Sequence, residues 1–332
     1  MSPDQQPPPK HNIAMWGAPA SGKTTFITAL DIALTRRDSE WSIVGADDAS
    51  TDFLVRATDS LSQERKFFPA TQTIDRYHWF LIRQGGADRR RRWRGPSKDT
   101  LQIGLELLDP PGGAFALNGA YAGLQEELLD NLTNSQGIVF LFDPIREFES
   151  GDAFSSLHGT LARLRQRMRA SGGLQGGKLP HHLAVCVTKF DEMRVLHTAE
   201  KLGLVTSDPH DRYEFPRVDD GDAMELFREL CDISPTGNAE MVMQALDRDF
   251  HPERTRYFVT SSIGFHVDKR TSVFDPDDPQ NLIPDSSATV AKGQPEPFRI
   301  RGQVHPINVM EPMTWLAECL AARMPVGHGG KR

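Results

Sequence analysis

Gly17-Ala18-Pro19-Ala20-Ser21-Gly22-Lys23-Thr24 narrows the possible folds of this chain more than any other stretch. It fits the pattern G-x-x-x-x-G-K-[ST] at every fixed position, and the flanks matter as much as the pattern. The apolar run Asn12-Ile13-Ala14-Met15-Trp16 precedes it, as a buried first strand should, and Phe26, Ile27, Leu30 and Leu34 follow at helical spacing. Strand, glycine loop and helix in that order make a phosphate cradle. The loop amides and the helix N-terminus, Gly17 through Thr25, are expected to face an anion. Lys23 is expected to reach the β- and γ-phosphates of a nucleotide, and the Thr24 hydroxyl to ligate Mg²⁺.

The chain has 332 residues, enough for one large α/β domain with insertions. A mean hydropathy of −0.45 and the lack of any apolar run of about 18 residues argue against a membrane span. The N-terminal stretch Ser2-Pro3-Asp4-Gln5-Gln6-Pro7-Pro8-Pro9-Lys10 has no apolar core and reads as a disordered lead-in rather than a signal peptide. Three cysteines, Cys186, Cys231 and Cys319, are too scattered for a disulfide scaffold or a zinc site, so a reducing, cytoplasmic compartment is expected. A net charge of −7 argues against wholesale nucleic-acid binding.

Further along, Trp41-Ser42-Ile43-Val44 predicts a short strand, and Asp52 to Leu61 a helix. Tyr77 to Ile82 and Leu101 to Leu108 are two strands of a long hairpin, bracketing the basic segment Arg83 to Lys98. An amphipathic helix is expected over Tyr121 to Leu132, and a long one over Asp152 to Ala170, whose arginine-rich face reads as solvated surface. Gly137 to Phe142 and Leu183 to Val187 are near-continuous apolar runs, as in strands buried on both faces. Tyr257 to Thr260 adds another strand. Helices around Ala223 to Leu230 and Ala239 to Phe250 read as an insert, and Pro312 to Met324 as a closing helix on the sheet. Strands alternating with helices of crossover length predict an α/β fold, a doubly wound, mostly parallel sheet of the P-loop NTPase type with one antiparallel hairpin strand. The expected organisation is a single domain over 12–325, with insertions near 83–100 and 204–250 and disordered tails at 1–11 and 326–332.

Three more motifs fall at predicted strand ends, where ligands of such sheets bind. Asp109-Pro110-Pro111-Gly112 closes an apolar strand with one carboxylate. Asp109 would hold Mg²⁺ through water, and Gly112 would let the next amide approach a γ-phosphate. Thr188-Lys189-Phe190-Asp191 resembles the [NT]-K-x-D motif of GTPases, in which the carboxylate accepts from guanine N1–H and the N2 amino group while the lysine stem packs on the base. Adenine lacks those donors and would leave Asp191 unpaired. Ser261 and Ser262 resemble the loop whose backbone amide reads guanine O6. Together the four motifs, spanning Ile13 to Gly264, resemble the translation-factor-related class of P-loop GTPases. Phe68-Pro69-Ala70-Thr71 ahead of the hairpin, with Asp109-Pro110-Pro111-Gly112 after it, resembles bacterial double-GTPase proteins of conflict, or antiphage, systems.

That resemblance implies a GTP/GDP-binding, Mg²⁺-dependent regulatory switch acting through a protein partner, either an effector or a second GTPase. It also implies that Thr71, with Thr73 as the alternative, closes on Mg²⁺ and γ-phosphate. The chain departs from the class where small GTPases carry a water-positioning Gln after the D-x-x-G glycine. Gly113 stands there, so hydrolysis should be slow or activator-dependent. Ala20 replaces the Asn of potassium-assisted relatives. An ATPase and a nucleotide-binding scaffold with little or no hydrolysis are the competing readings. Arg89-Arg90-Arg91-Arg92-Trp93-Arg94 is a solvated tip, a dock for an acidic partner or RNA, or an arginine finger. The acid-rich stretch Asp208 to Asp222 lacks the fixed positions of an EF-hand and reads as a solvated insertion.

Overall fold

Neighbouring residues of the buried strands point into different cores, and this alternation stacks the layers. In β1 (Asn12–Gly17), Ile13 and Met15 join one apolar cluster while Ala14 and Trp16 join another. A strand that is apolar on both faces needs helices on both. The structure, a computed structural model, describes residues 11–18, 20–36, 39–68, 75–83, 101–109, 122–235, 237–268, 270–285 and 298–322.

The other strands are β2 (Trp41–Gly45), β3 (Asp75–Arg83), β4 (Leu101–Asp109), β5 (Gly137–Phe142), β6 (His182–Val187), β7 (Val205–Ser207), β8 (Pro216–Val218), β9 (Thr255–Val259), β10 (Leu282–Pro284) and β11 (Phe298–Ile300). The helices are α1 (Lys23–Arg36), α2 (Asp48–Asp59), α3 (Ala122–Asn134), α4 (Pro144–Ser150), α5 (Ala153–Ala170), α6 (Met193–Lys201), α7 (Ala223–Asp232), α8 (Ala239–Asp249) and α9 (Glu311–Ala322). Among the described residues the main sheet runs β2-β3-β4-β1-β5-β6-β9. β4, β1, β5, β6 and β9 are mutually parallel, and β3 pairs antiparallel to both β2 and β4. This is the doubly wound, mostly parallel α/β sheet with one antiparallel strand that the sequence predicts. β7–β8 and β10–β11 form two further small antiparallel pairs.

α1, α2 and α9 cover one face, where Phe26, Leu30, Phe53 and Leu316 meet Met15, Trp79 and Cys186. α3, α5, α6, α7 and α8 cover the other, where Leu129, Leu161, Val195, Phe227 and Leu246 meet Phe140 and Val185. α9 packs on β5 and β6, as a closing helix should.

Several expectations change. α2 starts four residues earlier than Asp52, because Asp47 accepts from the Ser50 amide at 2.7 Å and caps the helix there. It then runs into a π-turn at Ser60–Glu64, which ends on Arg65 with a left-handed φ of 60°. The arginine face of α5 is not simple solvated surface. Arg165 pairs with the fully buried Asp249 of α8 at 2.7 Å, and Arg167 bonds Glu126 and Asp130 of α3. These contacts lock α5 to both neighbours. The acid-rich stretch is partly built in as well. β7 and β8 bracket its centre, Arg217 pairs with Asp211 at 3.1 Å, and Asp220 accepts from Asn308 at 3.2 Å. The arginine cluster at 89–94 lies outside the described residues.

Candidate nucleotide site

At the end of β1 the backbone turns through Ala20 (φ 59°) and Gly22 (φ 90°) on either side of Ser21, then enters α1. Only glycine takes a φ of 90° without strain, and such paths make anion-binding concavities. The Ser21 hydroxyl is 1% exposed and has no hydrogen-bond partner among the described residues. Such a buried donor matches a phosphate oxygen. Lys23, 5% exposed, lays its ammonium along the loop and donates to the Gly17 and Ala18 carbonyls at 3.3 and 3.1 Å. Thr24 and Thr25 are half-buried in the first turn of α1. Pro19 lies outside the described residues.

The tip of β6 comes beside this loop because β6 lies one strand beyond β5, which itself pairs with β1. Thr188 donates its hydroxyl to the Phe142 carbonyl at 3.1 Å and Phe190 is fully buried, while Lys189 and Asp191 are half-buried residues. Lys189 is left-handed (φ 60°) and its ammonium pairs with Asp143 at 2.6 Å. Asp143 also caps α4 by accepting from Ile145 and Arg146. Glu192 caps α6 in turn. Burial pushes the Asp191 carboxyl up to about 6, an effect that a hydrogen bond from the Ser261 hydroxyl partly offsets.

Ser261 and Ser262 have separate surroundings. Ser261 is wholly buried, its amide donates to Ile307 at 3.0 Å, and its oxygen accepts from Gly264. Ser261 therefore braces Asp191, and Ser262, half-buried, is the one that lines the cleft. Gly264 is obligatory here. Its φ is +66°, and a Cβ would fall 1.9 Å from the His305 carbonyl oxygen.

These parts face one open cleft of about 560 Å³. Ser21, Gly22 and Thr25 line it on the side of the glycine loop, and Thr188, Lys189, Asp191 and Ser262 on the side of the β6 tip. Phe67, Ile263 and Leu282 add an apolar wall that sequence reasoning did not anticipate, since they belong to no motif. A second hollow of about 430 Å³, beside Gly17 and Ala18, runs under α4 and α5 past Trp16 and Asp143, and reaches none of the Thr188–Asp191 residues.

For Mg²⁺ the donor set is chemically suitable. Asp109 is the last residue of β4, and three residues beyond the paired couple Ala14 and Glu106 stand Gly17 and Asp109. By strand position, Asp109 therefore ends β4 on the same side of the sheet as Gly17 ends β1. A hydroxyl and a carboxylate are hard oxygen ligands, the kind that Mg²⁺ takes together with phosphates. Among the described residues no group of three or more His, Cys, Asp or Glu could hold a metal ion without such help. Thr71, Thr73, Gly112 and Gly113 lie outside the described residues.

No family model matches the chain, and no curated protein matches it in sequence. Among solved structures it is similar to the GTPase-like domain of Ski7 from S. cerevisiae bound to GTP, at 12% identity and a TM-score of 0.40, over 95% of this chain and 51% of that one. It is also similar to the signal recognition particle receptor SRb-GTP/SRX complex from Chaetomium thermophilum, at 14% identity and a TM-score of 0.34, over 77% of this chain and 92% of that one. The chain spans about half the length of the Ski7 chain. Among the described residues no helix is long and apolar enough to cross a membrane.

Proposed function

We propose that this chain binds guanine nucleotide with Mg²⁺, hydrolyses GTP slowly and works as a regulatory switch. One observation carries the reading: Ser21, Gly22 and Thr25 share a single cleft with Thr188, Lys189, Asp191 and Ser262. A phosphate cradle alone fits any nucleotide. A buried carboxylate at the opposite end fits a base that brings two donors to it, which guanine does and adenine does not.

In this reading Lys23 exchanges its loop carbonyls for β- and γ-phosphate oxygens, and the Ser21 hydroxyl and loop amides take the remaining charge. Thr24 and Asp109, joined by Thr71, would hold Mg²⁺, which neutralises charge between the β- and γ-phosphates when bound. Asp191 accepts from the base edge, and Ser262, a lining residue of the same cleft, would offer its backbone amide to O6. With Gly113 in place of a water-positioning side chain, turnover is slow until a partner supplies the missing group. The resemblance to double-GTPase proteins extends the reading to a bacterial defence switch with a protein partner. Gly113 equally favours a second reading, a scaffold that holds nucleotide without hydrolysing it.

The test is binding of fluorescent GDP and GTP with Mg²⁺, competed by ATP, followed by phosphate release. Guanine-selective binding that Asp191→Ala abolishes is the expected result, with phosphate released slowly. ATP competing as well as GTP would overturn the guanine assignment, and selective binding with no release would leave the scaffold.

A further inference from the structure

The apolar wall of the cleft has its own support. Phe67 follows the π-turn after α2, Ile263 follows Ser262, and Leu282 opens β10. All three belong to one small cluster with Ile32 of α1 and Ile300 of β11, separate from the two cores of the main sheet. Phe67 and Leu282 are only half-buried there, and both line the cleft.

The β10–β11 hairpin is firmly held in place. Asn281, 1% exposed, donates to the Ile263 carbonyl at 3.1 Å and to Gln303 at 2.9 Å, and its oxygen accepts from the Gly302 amide at 2.8 Å. Ile300 donates to the Arg65 carbonyl at 2.8 Å, two residues before Phe67. Leu282 is thereby fixed between the guanine loop and the chain that carries Phe67. Asp191 can grip only the polar edge of a base, whereas the larger part of a base's surface is its two flat faces, which need apolar cover.

We propose that the β10–β11 hairpin, through Leu282 together with Phe67, forms the wall against which the nucleobase is held, and that this wall sets how long the nucleotide stays bound. The proposal rests on the guanine reading above. Its chemistry is contact with the face of the base, distinct from the edge contacts of Asp191 and from the phosphate grip of Lys23.

The experiment loads the full chain with N-methylanthraniloyl-GDP and chases it with excess GDP. Leu282→Ala is expected to release the nucleotide about tenfold faster, Leu282→Met at nearly the wild-type rate. Leu282→Gln keeps the side chain's length and carries the same test if the alanine variant fails to fold, and it too should release faster. Inorganic pyrophosphate, which has no base, should bind the Ala and Gln variants as tightly as the wild type in calorimetry. Release within twofold of wild type in a folded Ala or Gln variant overturns the proposal, as does pyrophosphate affinity falling in step with GDP affinity. Failure of the guanine reading looks different, because the wild type itself would then show no preference for GDP over ADP and no response to Asp191→Ala.

Discussion

The Ser261 hydroxyl donates to the Asp191 carboxylate across 70 residues of sequence, while the same oxygen accepts the Gly264 amide at 2.8 Å. Ser261 is itself clamped through both its amide and its carbonyl to Ile307, at 3.0 and 2.8 Å. A carboxylate at the cleft is therefore aimed from behind by a strand-like segment near the end of the described chain.

Under the proposed reading, that carboxylate should make nucleotide binding sensitive to pH. Burial pushes Asp191 up to about 6, and the Ser261 hydrogen bond offsets only part of this. A protonated Asp191 loses an acceptor, so guanine-nucleotide affinity should fall as pH drops through about 6, up to tenfold per pH unit. Comparing the wild-type binding profile with that of Asp191→Asn isolates this step from titration of the nucleotide's own phosphates. Stability of the nucleotide-free protein moves the other way. The folded pKa lies above the ordinary 3.8, so the group's contribution is fully present below that value and is lost as pH rises through about 6. Asp191→Asn should raise the thermal midpoint at pH 7.5, with the gain shrinking toward pH 4.

Gly264→Ala should be severe. The added Cβ meets the His305 carbonyl oxygen at 1.9 Å, at a φ of +66° that disfavours side chains. His305 in turn donates its amide to Ile263 at 2.9 Å, so neither backbone can move away independently. A loss of roughly 3 kcal/mol or more in urea unfolding is expected, with guanine selectivity falling alongside.

Lys23→Met retains most of the stem while removing the charge. The ammonium now bonds two loop carbonyls, and phosphate oxygens are the stronger acceptors for it. GTP affinity should drop on the order of a hundredfold in a fluorescence titration. Thr24→Ala should instead leave an affinity that no longer responds to Mg²⁺.

Asp143 does two jobs that substitution can separate. It caps α4 and pairs with Lys189 at 2.6 Å. Asp143→Asn keeps a capping oxygen and loses only the pair with Lys189, whose side chain is 41% exposed against 2% for Asp143, so it should cost less than removing the side chain. Asp143→Ala also loses the cap and should cost about 1–2 kcal/mol. Urea denaturation of the two variants measures the difference.

What could be read from the sequence depended on local regularity. β5 and β6 were legible because their residues, His182 aside, form near-continuous apolar runs, and the β3–β4 hairpin because two apolar runs bracket one glycine-bounded charged segment. α4 was missed, since Pro144-Ile145-Arg146-Glu147-Phe148-Glu149-Ser150 is too short and too polar to show a period, and only the Asp143 cap with Pro144 after it marks the start. β7, β8 and β10 have three residues each, below the length at which alternation means anything. The candidate site divides in the same manner. The phosphate loop and the Thr188–Asp191 stretch are contiguous and carry their own signal. Phe67, Leu282 and the bracing role of Ser261 arise from contacts between distant segments, with nothing local to announce them.

The bridge between Ser261 and Ile307 also fixes an order of assembly during synthesis. A nascent chain that has emerged only as far as β9 already contains the phosphate loop, β1 and α1, so the phosphate end of the cleft can take shape early. The far end cannot, because His305 and Ile307, which bond Ile263 and Ser261, leave the ribosome nearly fifty residues after β9. Until then the Ser261 that braces Asp191 lacks its own support, so under the proposed guanine reading a nascent chain should bind phosphates before it discriminates among bases.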